Sequence, residues 1–190
     1  MRRALISFCA GVAVAGLLAA MILTTDRALP PHFPRGVEAC FGRVYGEAFL
    51  KAHPGHRFRE LYVFRDFATG GPHGDARPRD EQIAADRASE DELWVTIMAR
   101  LRDRPDAYDR GVGCSPDGPL GATCSADCEG AHFELHPQGR GLVIDRSSAA
   151  SYVNLGVARL RLQRDGVDYQ LDPMPIEACL AAYDHPAQSD

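Results

Sequence analysis

The sequence predicts a mainly β fold of the α+β kind: an antiparallel sheet, a small barrel or a sandwich, with one short amino-terminal helix, following a transmembrane or signal helix. Three observations carry this. Leu93, Val95, Ile97, Ala99 and Leu101 alternate with Trp94, Thr96, Met98, Arg100 and Arg102, the period-two pattern of a half-buried strand. Turn signals recur at short spacing, notably Pro137-Gln138-Gly139-Arg140 and Asp165-Gly166. The strands are not separated by long helical stretches, so they join as hairpins rather than as parallel crossover units.

Residues 1–25 are set apart by their chemistry. Ala4 to Thr25 is a run of 22 residues without a charge. As a helix it would span roughly 33 Å, enough for a hydrocarbon core of about 30 Å. Arg2 and Arg3 precede it, which keeps the amino terminus cytoplasmic and exports the rest of the chain. The one clean small-x-small site, Ala13-Val14-Ala15, would leave a long apolar stub, so an uncleaved signal anchor is favoured over a cleaved signal peptide. Cys9 lies too early for a lipoprotein site. The expected location is the inner membrane with a periplasmic domain, or secretion to the periplasm. Residues 26–36, with Pro30, Pro31 and Pro34, read as a semi-extended tether.

The exported domain is expected over residues 37–183. Val37, Phe41, Val44, Tyr45 and Phe49 recur at helical spacing, predicting a helix over 37–52 that His53-Pro54-Gly55-His56 ends. Phe58 to Phe64 reads as a strand with apolar residues on both faces. Residues 65–92 are rich in Gly, Pro, Asp, Arg and Glu and read as a long polar loop, with a helical turn over Glu81–Ala88. His132–His136 and Leu142–Asp145 form a hairpin around a four-residue loop. Residues 157–164 and 167–172 form another around Asp165-Gly166, placing Leu160 opposite Leu171, Leu162 opposite Tyr169, Arg161 opposite Gln170 and Arg159 opposite Asp172. Residues 184–190 read as a disordered tail.

Hydrophobic content of 45% and charged content of 25% exclude a fully disordered chain. Setting aside residues 1–25 takes the net charge from −5 to −7. The basic residues are arginines apart from Lys51, and they are scattered. Nucleic-acid binding is therefore not expected, because it needs a basic surface that displaces counterions.

In an exported domain the default use of cysteine is the disulfide. Cys40, Cys114, Cys124, Cys128 and Cys179 are the candidates, an odd set. Cys40 with Cys179 would clamp the domain's ends, and Cys114 with Cys124 would close across Ser115-Pro116-Asp117-Gly118-Pro119, leaving Cys128 over. Sequence alone does not fix that connectivity.

The segment 124–145 holds the densest chemistry. On a strand, His132, Glu134 and His136 share one polar face while Phe133 and Leu135 enter the core. The four-residue loop would set Asp145 opposite His132 and Val143 opposite Glu134. Imidazole and carboxylate are zinc ligands, which makes His132, Glu134, His136 and Asp145 a candidate metal set. Against it, residues four apart on a strand lie about 13 Å apart, too far for His132 and His136 to share an ion without a bulge. A solvated sheet face accounts for the same residues. Cys124, Cys128, His132 and His136 recur every fourth position, but disulfide use competes with zinc there. His53 and His56 could form a chelating turn. No catalytic residue is assigned: the chain has no Gly-x-Ser-x-Gly elbow, phosphate loop or dinucleotide fingerprint. No cofactor is expected, zinc being the one alternative.

Cys40-Phe41-Gly42-Arg43-Val44-Tyr45, then His53-Pro54-Gly55-His56, then Cys124 and Cys128-Glu129-Gly130 before a strand, resemble a family of small exported, cysteine-containing bacterial envelope proteins of uncharacterised function. The likeness covers residues 38–180. It implies an envelope location and a β-rich domain, and transfers no activity. By architecture the chain also resembles the small cysteine-clamped barrels of the membrane-bound lysozyme-inhibitor kind. Ser148 to Tyr152 would stand where their inhibitory loop lies, but without its glycine.

The functional expectation is a non-enzymatic, membrane-anchored domain acting in envelope binding. Its partners would be the membrane through residues 4–25 and an envelope protein or cell-wall component. The alternatives are an inhibitor of a cell-wall-degrading enzyme and a metal-binding periplasmic protein.

Overall fold

The computed structural model describes residues 32–67, 77–89, 93–104, 106–116, 121–126, 131–145, 152–154, 159–161 and 169–184. In chain order the elements are β1 (Ala39–Val44), α1 (Glu47–Ala52), β2 (Phe58–Arg65), α2 (Arg79–Ala88), β3 (Leu93–Leu101), β4 (Ala107–Pro116) and β5 (Ala122–Ala126). They continue with β6 (Ala131–Gln138), β7 (Gly141–Asp145), β8 (Tyr152–Asn154), β9 (Arg159–Arg161), β10 (Tyr169–Met174) and α3 (Ile176–Asp184). Eight strands run antiparallel in the order β5-β4-β3-β2-β1-β10-β7-β6, and β6 pairs back onto β5. The sheet is a closed barrel, which removes the open edges of a sandwich. The short β8–β9 hairpin attaches to β6.

Period-two alternation builds the interior. Leu93, Val95, Ile97, Ala99 and Leu101 of β3 all enter the barrel core, beside Leu61 and Val63 of β2 and Phe133 and Leu135 of β6. Several alternate residues of β2 and β3 are buried as well. Tyr62, Phe64 and Met98 form a second cluster on the outside of the wall, beneath Ile176, Leu180 and Ala182 of α3, with Cys40 and Cys179. The apolar residues on both faces of β2 thus have two destinations, the barrel and the helix.

The predicted helix over 37–52 is corrected. Its first part is strand β1, paired with β2 and β10, and only Glu47–Ala52 is helical. The spacing of Val37, Phe41, Val44, Tyr45 and Phe49 is not one helix face, since Val37 and Val44 are exposed while Phe41 and Tyr45 are buried. Helix α1 joins the core through Leu50, and Arg102 Nη1 donates to the Leu50 carbonyl at 3.0 Å.

The described parts of 65–92, residues 65–67 and 77–89, are not a solvated loop. Arg65, Asp66 and Phe67 are buried, and α2 begins at Arg79, two residues before the predicted turn. Helix α2 is held by charge: Arg79 pairs with Glu38 at 3.1 Å and Asp86 with Arg65 at 3.2 Å. Towards the amino terminus Phe33 lies in the core with its ring edge-on to Phe41, 5.2 Å between centroids.

The predicted pairing around Asp165-Gly166 is also corrected. Residues 162–168 lie outside the described residues, but their flanks pair elsewhere. Arg159, Leu160 and Arg161 face Asn154, Val153 and Tyr152, whereas Gln170 and Leu171 face Val143 and Leu142. Strand β10 instead bridges β7 to β1, and barrel closure wins over the local hairpin.

Two disulfides join Cys40 to Cys179 and Cys114 to Cys124, one of the connectivities the sequence left open. They indicate an oxidising, non-cytoplasmic compartment. Among the described residues no helix is long and apolar enough to cross a membrane. The expected signal or anchor segment, residues 1–25, lies outside the described residues, as do Cys128 and residues 185–190.

Candidate functional site

Strands β6 and β7 meet at a two-residue turn, Gly139-Arg140, in which Gly139 takes φ 61°. That left-handed conformation suits glycine, and it makes the turn two residues shorter than the predicted loop. The register moves with it: Glu134 faces Asp145 and His136 faces Val143. Asp145 therefore does not face His132. Because the slip is an even number of residues, every side chain keeps its predicted face. Phe133, Leu135, Leu142 and Ile144 point into the core, and Glu134, His136 and Asp145 stand on the outer wall.

There the three side chains converge. His136 Nε2 lies 3.3 Å from Glu134 Oε2 and 3.6 Å from Asp145 Oδ2. One ligand atom from each residue falls within 4.8 Å of the others. Their side chains retain 40%, 29% and 31% of their exposure for His136, Glu134 and Asp145, so the group is reachable from solvent. Gly121 backs the imidazole: a Cβ there would stand 2.8 Å from His136 Nδ1 and 2.9 Å from Cε1. The absence of a side chain at 121 lets the ring lie against the backbone, with Nε2 towards the carboxylates.

Of the predicted metal set the structure brings together Glu134, His136 and Asp145. His132 lies on the same strand but faces Ser125 of β5 and Tyr152 of β8, outside the trio. The four-residue recurrence of Cys124, Cys128, His132 and His136 makes no zinc site, because the Cys124 sulfur is bonded to Cys114. Loop residues 146–151, where the inhibitory-loop likeness falls, lie outside the described residues.

His53 and His56 are not an exposed chelating turn. His56 is 1% exposed and sits among Tyr45, Phe49, Phe58 and Tyr169, with the Tyr45 centroid 4.2 Å away. His53 stacks on Phe49 at 4.1 Å, and its Nδ1 lies 2.9 Å from the Phe49 carbonyl oxygen. Both imidazoles belong to the aromatic plug under α1.

Sequence reasoning missed one concave feature. Arg59 of β2 and Arg100, Arg102 and Arg104 in and after β3 line an open cavity of about 360 Å³ with Leu101 and Asp103. These arginines read as scattered because β2 and β3 lie far apart in sequence. Two of these arginines have acidic partners, Glu47 for Arg59 and Glu60 for Arg100, while Asp103 pairs with Arg57 beside the cavity.

No protein-family model matches the chain, and neither a curated protein nor a solved structure matches it.

Proposed function

We propose that the chain is an exported, membrane-tethered, non-enzymatic domain that binds an envelope protein or cell-wall component through the outer wall of its barrel. The observation that carries this reading is the division, among the described residues, between a filled interior and a polar outer wall. The interior is packed with apolar side chains, Phe41, Leu61, Val63, Ile97, Phe133 and Leu135 each at most 5% exposed. A ligand is therefore met outside the barrel rather than within it. Helix α3 covers the wall over β1 to β3. The wall of β5, β6, β7 and β10 presents Thr123, Ser125, Glu134, His136 and Gln170. The apolar run from Ala4 to Thr25 behind Arg2 and Arg3 supports the tether. The likeness of the Cys40–Tyr45 and His53–His56 blocks to small exported envelope proteins supports the location.

Photo-crosslinking side chains placed at Thr123, Gln170 and, as control, Glu177 on α3 test this in intact producing cells. A recurring adduct of one mass from Thr123 and Gln170, absent from Glu177, is expected. Adducts from no position, or equally from all three, would count against an outer-wall partner.

A further inference from the structure

We infer that Glu134, His136 and Asp145 form a site for a first-row divalent cation of the zinc class. The inference does not depend on the envelope-binding reading.

The backbone supplies the arrangement. Positions 134 and 136 share the outer face of β6, and 145 is the direct cross-strand neighbour of 134. Three donors then project from two rigid, paired strands of a closed barrel, not from a loop. A zinc ion with ligands at about 2.0–2.1 Å holds its donors roughly 3.3–3.4 Å apart in a tetrahedron. His136 Nε2 already stands at 3.3 and 3.6 Å from the two carboxylate oxygens. Rotation of two partly exposed carboxyl groups is enough to bring the set, now within 4.8 Å, onto one ion.

Charge points the same way. Glu134 and Asp145 are both acidic and directly opposite, and a cation held by both relieves their mutual repulsion. A divalent ion can take one oxygen from each carboxylate and the imidazole nitrogen together. A nitrogen donor with two carboxylates favours zinc-class ions over calcium and magnesium, which take all-oxygen shells. Three protein ligands leave a fourth position for water or for a group on a partner. Gly121 leaves room for the imidazole to lie against the backbone in this position.

The test is zinc titration of the full-length chain in detergent, disulfides intact and free thiols alkylated, read by calorimetry and by the shift in Tm. About one zinc per chain is expected to bind, with a rise in Tm. Glu134→Gln and Asp145→Asn, which preserve shape, and His136→Ala should each weaken binding about tenfold or more. His132→Ala, one side chain along the same face, should leave it unchanged, and millimolar calcium should not compete. The inference is overturned if the wild-type chain binds no stoichiometric zinc. It is equally overturned if the isosteric variants bind as the wild type does, or if His132→Ala is as damaging as His136→Ala.

Discussion

Arg65 at the end of β2 is 1% exposed and sets its Nη1 3.2 Å from Asp86 Oδ1 on α2. Its Nε and Nη2 donate to the Val37 carbonyl at 3.1 and 2.8 Å, and Nη2 also donates to the Pro34 carbonyl. Asp86 Oδ2 accepts from the Gly36 amide. The guanidinium lies 5.8 Å from the ring centroids of both Phe33 and Phe67. Burial pushes its pKa down, and the Asp86 carboxylate works against that. One buried arginine thus fastens the chain ahead of β1, the end of β2 and helix α2 to each other.

Removing only the carboxylate should be costly. Asp86→Asn leaves a buried guanidinium short of its counter-charge and is expected to lower stability by about 3–5 kcal/mol. An Arg65→Met, Asp86→Leu double variant should lose less than the sum of the single changes. Chemical denaturation of Asp86→Asn checks the first statement, and the four proteins of the Arg65→Met, Asp86→Leu cycle check the second.

Gly42 is a packing position. It faces Tyr62 across β1 and β2, and a Cβ there would collide with the Tyr62 ring and approach Met174 Sδ to 2.9 Å. Gly42→Ala is expected to cost about 1–3 kcal/mol through forced repacking beneath α3. Gly46, where nothing lies within 4 Å of the same atom, should accept alanine with little effect. Paired thermal melts separate the two.

The two disulfides differ in reach. Cys40 and Cys179 are 139 residues apart, whereas Cys114 and Cys124 are separated by 10. Chain entropy then gives the first bridge about 5 kcal/mol and the second about 3 kcal/mol. Serine at both Cys40 and Cys179 should therefore lower the denaturation midpoint more than serine at both Cys114 and Cys124.

Tyr62 gives the fold an alkaline limit. Burial, then the neighbouring Glu60 carboxylate and its hydrogen bond, raise the phenol from 10.0 to about 12, against a smaller opposing pull from Arg100. A phenol whose folded pKa exceeds its unfolded one contributes stability that is complete below pH 10. That contribution is lost as the pH rises towards about 12. In ultraviolet titration the difference between the wild type and Tyr62→Phe should be one phenol ionising towards about pH 12. Tyr62→Phe should flatten the fall in stability across the same window.

The legible part of this fold was the part written in single strands. Alternation along Leu93–Leu101 and His132–His136 gave the correct inward and outward faces, because a strand's period is set by its own backbone. Partners were less legible. The β6–β7 register turned on whether Pro137 and Gln138 belonged to the loop or to the strand, and that choice moved Asp145 from His132 to Glu134. The Asp165-Gly166 signal named the wrong neighbours because strand β10 is used to close the barrel, a global condition no local turn encodes. Val37 and Val44 counterfeited a helix face around β1. The buried Arg65–Asp86 pair was hidden in a stretch whose composition reads as solvated, and Gly121 beneath His136 has no sequence signal at all.

The most direct test of an exported, disulfide-closed barrel is a nonreducing peptide map of the full-length chain. The chain is recovered from producing cells whose thiols are alkylated at the moment of lysis. The account predicts linked peptides for Cys40 with Cys179 and for Cys114 with Cys124, and an alkylated Cys128. Alkylation of all five would place the domain in a reducing compartment and contradict it.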